Sequence, residues 1–269
     1  MATRPREGGR AGRTVLARTV AVVAAAWWVL LFFGLIDLLV GIMPAEFPSS
    51  FRPFIVLETS WGLLYTVLIP LPLIVWAVRP AGWVGPQIAA VAAALLVTGV
   101  AAVAAGQILV AFLVAASAAF PRMWRTRKGW SIHAVRTTPA LWPVAALVVL
   151  GFGVALVHAW DVLALARAGV DDDDTWGLKH LPMQAGFALA VPASAAVAVL
   201  AMANRMPTWW FAIVPSTASA IWFGITCARH PDLLGSLGTA PGRLAVAWAT
   251  AIAVAIWITG HRSTATTSA

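Results

Sequence analysis

Cysteine and lysine are nearly missing from this chain. Its one cysteine, Cys227, excludes an internal disulfide and any CxxC metal or redox motif. Its two lysines, Lys128 and Lys179, both fall in polar segments, so none lies inside an apolar run where it could carry a retinal Schiff base. Charge is scarce too: 10% of the 269 residues are charged, where a soluble domain has about a quarter. No soluble domain can be drawn, and with it goes any nucleic-acid groove, although the formal charge is +8. Several catalytic signatures are absent: no HExxH zinc helix, no GxSxG nucleophile elbow ("LGSLG" at 234–238 has the wrong spacing) and no Walker loop. ATP-driven transport would need another subunit. Histidines are too few inside the apolar runs to hold a haem between facing helices.

What the chain has in abundance is apolar residues, 61% of the total, with a mean hydropathy of +0.87. They come in long runs without the period-2 alternation of a barrel strand, so each run predicts a helix in a lipid bilayer. The pattern predicts an all-α, polytopic transmembrane bundle of about eight spans: 19–43, 55–78, 87–105, 107–122, 140–160, 183–203, 207–227 and 244–260. A basic N-terminus, 1–18, precedes the bundle at 19–260, and a disordered cytoplasmic tail, 261–269, follows it. The first run is too long for a signal peptide and is read as a retained helix.

Charge sets the topology. Arg4, Arg6, Arg10, Arg13 and Arg18 put the N-terminus inside, because loops on the cytoplasmic face are enriched in Lys and Arg. The stretch 121–139, with Arg122, Arg125, Arg127, Lys128 and Arg136, is the second basic cluster and belongs on the same side. An even number of spans must separate the two, so the apolar stretch 87–120 crosses twice, turning at Gly106–Gln107. Both termini are then cytoplasmic, and thirteen of the eighteen Lys and Arg residues lie inside. Nine of ten acidic residues map to the outer side, including the run Asp171–Asp174, which reads as a solvated loop. Many of the 15 tryptophans fall at span ends and read as interfacial anchors, among them Trp61, Trp83, Trp142, Trp160, Trp176 and Trp209. The basic stretch 121–139 is suited to an anionic lipid.

Polar residues at membrane depth are expensive and point to function. Asp37 lies in "FFGLIDLLVGIM", Glu58 in "VLETSWG". His158 and Asp161 share a helix face at i and i+3, and His180 and Gln184 share another at i and i+4. These six residues form a candidate outer polar cluster. If they converge, they offer an acid–base pair, a weak metal site or a proton relay. The four adjacent aspartates lack the spaced ligands and glycine of a calcium loop, and the pattern predicts neither a resident metal nor a cofactor. A second candidate is a path along kinked helices: Pro192 with Ser194, and Pro215 with Ser216 and Thr217, where each proline would free a carbonyl in mid-membrane. The competing account is ordinary helix bending and packing.

Two stretches, "LETSWGLLYTVLIPLPLIVWAVRP" at 57–80 and "LKHLPMQAGFALAV" at 178–191, resemble uncharacterised multi-pass integral membrane proteins of high-GC Gram-positive bacteria. The resemblance implies a helical bundle in the bacterial plasma membrane and transfers no activity. It draws added attention to Glu58, His180 and Gln184. The expectation from residues and resemblance together is a small permease or membrane-embedded binding component. The alternatives are an intramembrane enzyme acting on a lipid or isoprenoid with Asp37 and Glu58 as acid and base, and a non-catalytic partner subunit of a membrane complex.

Overall fold

The computed structural model describes residues 8–41, 52–123 and 141–265. The chain is an all-helical bundle. Its helices are α1 (Gly8–Leu31), α2 (Gly34–Val40), α3 (Ile55–Leu63), α4 (Pro70–Val78), α5 (Val84–Ala101), α6 (Ala105–Met123), α7 (Trp142–Arg167), α8 (His180–Ala203), α9 (Val214–Arg229) and α10 (Thr239–Ala265). A short antiparallel hairpin, β1 (Asp174–Thr175) and β2 (Leu178–Lys179), precedes α8. Among the described residues six segments are long and apolar enough to cross a membrane: Arg52–Val78, which joins α3 and α4, then α5, α7, α8, Trp209–Arg229 and Thr239–Gly260. The pair α1 and α2 passes the same test together but is bent by 52° at its break, and the apolar part of α6, Ala105–Ala119, is shorter. The basic stretch 124–139, with Trp124 and Trp130, lies outside the described residues, as does Glu46.

Proline and loop chemistry set the boundaries. Pro70 has no N–H to give to the carbonyl one turn back, and the helix widens there into a π-turn over Leu64–Leu68, closed by Ile69 N–H donating to Leu64 O at 3.2 Å. The stretch 87–120 forms two helices that fold back on each other. The turn is at Ala102–Ala104, a few residues before the expected Gly106–Gln107, with Val103 left-handed at φ 56. The Arg167 guanidinium closes this turn, donating to Ala101 O at 3.1 and 2.7 Å. A cation at that position also suits the negative end of the α5 dipole. Pro215 corrects an expectation. It stands in the first turn of α9, where a missing N–H costs nothing, so it frees no carbonyl inside a helix. Pro192 does lie inside α8.

Contacts fix which loops share an end. The turn after α5 meets Arg167 at the end of α7, Trp176 of the hairpin meets Leu31, and Gln184 near the start of α8 meets Gly235 between α9 and α10. At the opposite end Trp83 meets Thr208, Gln87 meets Ala212, and Gly260 of α10 lies against the Trp209 ring. α8 is central and packs on α5, α7, α9 and α3. α7 and α10 are peripheral: only 22% of the most apolar window of each is buried, against 61–72% in the other four spans. The core is rich in aromatics, with Phe32 stacked on Tyr65 at 4.3 Å and on Trp28 at 5.3 Å.

Candidate functional site

The expected first span, 19–43, is broken. α1 stops at Leu31, Phe33 takes a left-handed φ of 54, and α2 departs at 52°. Breaking a helix in an apolar setting leaves carbonyls without partners, and each must find another donor. Indoles supply them. Trp61 Nε1 donates to Phe32 O at 2.7 Å and Trp176 Nε1 to Leu31 O at 3.3 Å, and at the other end of α2 Trp222 Nε1 donates to Leu38 O at 3.2 Å. This corrects the reading of the tryptophans as anchors alone. Trp61 and Trp83 are fully buried donors, while Trp142, Trp160 and Trp176 are exposed.

Two glycines let α2 press against α3 and the π-turn that follows it. A Cβ on Gly62 would sit 2.2 Å from Leu38 N and 2.7 Å from Asp37 C, and one on Gly34 would sit 2.8 Å from Thr66 Oγ1. The close crossing sets Asp37 against Glu58, with their carboxyls in hydrogen-bonding reach, and Glu58 also reaches the Asp173 carboxyl. Glu58 is only 4% exposed. Its Oε1 lies 3.8 Å from His180 Nε2, with both side chains buried. His180 Nδ1 lies 2.7 Å from Asp173 O. A carbonyl only accepts, so Nδ1 carries the hydrogen and Nε2 is left to face Glu58. The imidazole packs on the Trp61 ring at 4.3 Å between centroids.

The aspartate run is therefore not simply a wet loop. A two-residue turn at Trp176 and Gly177, with φ 59 and 77, pairs Asp174 with Lys179 across the hairpin. Asp172 is buried and its Oδ2 accepts from Leu181 N–H at 2.7 Å, which satisfies an orphan donor in the first turn of α8. Its Oδ1 lies 3.4 Å from Lys179 Nζ. Asp173 turns towards Glu58, and Asp171 stays exposed. Asp173 and Trp61 are the members of the site that the sequence reading missed. The β-turn pair Trp-Gly after the acids was the available signal.

The structure divides the six expected cluster residues. Asp37, Glu58 and His180 come together. Gln184 is fully buried beside them in sequence, but its Nε2 donates to Gly235 O at 2.8 Å and it serves to hold the α9–α10 connection. His158 and Asp161 belong to a different place, a groove between α7 and the start of α10, on the far side of a small apolar cluster that includes Leu57, Val162, Leu163 and Leu181. The expected path along kinked helices is closed at its hydroxyls. Ser216 and Thr217 donate back to Ile213 O at 3.1 and 3.0 Å. Ser194 is buried, and its hydroxyl has no hydrogen-bond partner.

A hydrogen bond between two carboxyl groups needs a proton between them, because an ionised carboxylate only accepts. The Asp37–Glu58–Asp173 group with His180 can therefore take up and release protons, and in its ionised form attract a cation. Among the described residues no set of three His, Cys, Asp or Glu side chains is disposed to hold a metal ion. No protein-family model, curated protein or solved structure matches the chain.

Proposed function

We propose that the chain crosses the bacterial plasma membrane eight times with both ends cytoplasmic, and that it is a small permease or membrane-embedded binding component. Its working element is the outward-facing group Asp37, Glu58, Asp173 and His180, which exchanges protons as a polar solute or cation enters at the break of the first span. The observation that carries this reading is that break. A discontinuous helix with polar groups gathered at its ends is a recurrent way of building a transport site. Here it brings Asp37 to a buried Glu58 beside a buried His180. The alternation of helix ends supports eight crossings, since the loops 102–104, 168–179 and 230–238 gather at one end and 79–83 and 204–213 at the other. In that orientation the basic stretch 121–139 meets the anionic inner leaflet.

The test reads the site without a solute. An imidazolium quenches an adjacent indole, and Trp61 lies against His180. Emission of the reconstituted full chain should fall reversibly as the pH is lowered. The change should be absent in Trp61→Phe and His180→Gln, and its midpoint should move in Glu58→Gln and Asp37→Asn. A titration identical in wild type and Glu58→Gln would sink proton exchange within this group.

A further inference from the structure

We propose that the groove between α7 and the start of α10 is a binding site for one bilayer lipid with an ammonium headgroup. The groove encloses about 670 Å³. Val149, Leu150, Val154 and Val157 form its wall and are more than half exposed, as expected of a surface that faces hydrocarbon. It lies on one of the two least buried of the described spans. From Val149 to Asp161 the α7 wall rises about 18 Å, close to the roughly 15 Å depth of one leaflet's hydrocarbon. One acyl chain of a lipid in that leaflet fits the length.

Two glycines of α7 lie at or beside the groove, and they differ in what surrounds them. A Cβ on Gly151 would sit 2.6 Å from the Trp248 ring, so that glycine is needed for helix packing. A Cβ on Gly153 would meet nothing within 4 Å. Glycine in mid-helix weakens the helix, and packing gives Gly153 no compensation. The lining at Gly153 therefore has room for a larger side chain.

The polar end selects the headgroup. His158, Asp161 and Ser236 line it, and no Lys or Arg does. His158 is 9% exposed, and its Nε2 has no hydrogen-bond partner. Arg167, the nearest cation along α7, is held by Ala101 O and lies over the Trp160 ring at 5.9 Å. An acid without a cation in the groove favours a headgroup that brings one and can donate hydrogen bonds to it. A primary ammonium does both. A trimethylammonium brings charge without a donor, and a glycerol headgroup brings donors without charge.

The full chain in detergent is titrated with phosphatidylethanolamine, phosphatidylcholine or phosphatidylglycerol of matched chains, and bound lipid is read by native mass spectrometry. Phosphatidylethanolamine should be retained about tenfold more than either other lipid, the ratio that one charge-assisted hydrogen bond supports. Gly153→Phe should fill the groove and abolish the excess. Gly153→Ala, which keeps the helix, should lower it less. Asp161→Asn should equalise the three lipids. Equal retention of all three by the wild type, or an unchanged excess in Gly153→Phe, would overturn the proposal. Neither result bears on the Asp37–Glu58 group, whose own test is optical.

Discussion

Gly62→Ala should pull α2 away from α3 while leaving every ionisable group in the chain. The added Cβ would stand 2.2 Å from Leu38 N, 2.6 Å from Leu38 Cα and 2.7 Å from Asp37 C. All three are backbone atoms, so no side chain can rotate to make room. Relief needs α2 to retreat by about 1.2 Å to reach ordinary contact at 3.4 Å. Overpacking of this kind costs about 1–3 kcal/mol. The retreat also stretches the 3.2 Å bond from Trp222 Nε1 to Leu38 O, worth about 1 kcal/mol. A local loss near 3 kcal/mol raises the open population of α2 by about a hundredfold, which amide hydrogen exchange over Ile36–Val40 reads directly. Gly34→Ala should fall between this variant and wild type, because its closest obstacle is the Thr66 hydroxyl at 2.8 Å with Tyr65 atoms at 3.0 Å. Gly82→Ala, which meets nothing within 4 Å, should leave α2 unchanged. In Gly62→Ala the Trp61 emission titration should also lose its dependence on Asp37. Exchange within a factor of about three of wild type, under 1 kcal/mol, would refute the close crossing and with it the contact between Asp37 and Glu58.

Trp61→Phe should destabilise the protein by about 1–3 kcal/mol in thermal unfolding, because it orphans a buried carbonyl at Phe32. Trp176→Phe, on the exposed side of the same break, should cost less than about 1 kcal/mol in the same measurement. Asp172→Asn keeps an acceptor for Leu181 N–H but removes the charge facing Lys179, whereas Asp172→Ala removes both. Exchange of the first-turn amides of α8 should rise mainly in the alanine variant, by about the 1 kcal/mol of a lost cap. His230 lies just past the end of α9, where partial burial and then the neighbouring Arg229 hold its imidazole below the usual histidine range. In an NMR titration of labelled histidine it should take up its proton at lower pH than a free histidine, and Arg229→Gln should move it only part of the way back, because burial is the larger cause.

The existence and order of the long helices were legible because lipid allows few alternatives to a helix, while several ends lay five or more residues from those expected, as at α7, α9 and α10. The length of the apolar run and the two basic clusters were enough to divide 87–120 into two helices that fold back on each other. What the runs could not express was how a backbone copes when a helix stops inside the apolar layer. The break at Phe32–Phe33 carries no proline, and it is met by tertiary partners: indoles from α3 and the hairpin donate to the carbonyls freed at Phe32 and Leu31, while one from α9 donates to Leu38 O near the end of α2. Those tryptophans look like interfacial anchors in sequence, since a buried donor and a headgroup anchor are the same residue at the same place along a span.

The aspartate run misled for a related reason. Charge density marks Asp171–Asp174 as wet, and Asp171 is exposed. Yet the Trp-Gly turn that follows folds the segment back over α8, where one acid caps the helix and the next faces Glu58. Asp37, Glu58 and His180 could each be picked out singly as costly polar residues, but their meeting depends on Gly34 and Gly62, which hold no charge and have no polar signature. The groove at His158 is lined by Gly153, which differs from those two in having open space where its side chain would stand. In both places the polar residues supply the chemistry and a glycine supplies the room. Glycines that a side chain would either clash at or leave open are therefore the positions where substitution separates geometry from chemistry in this protein.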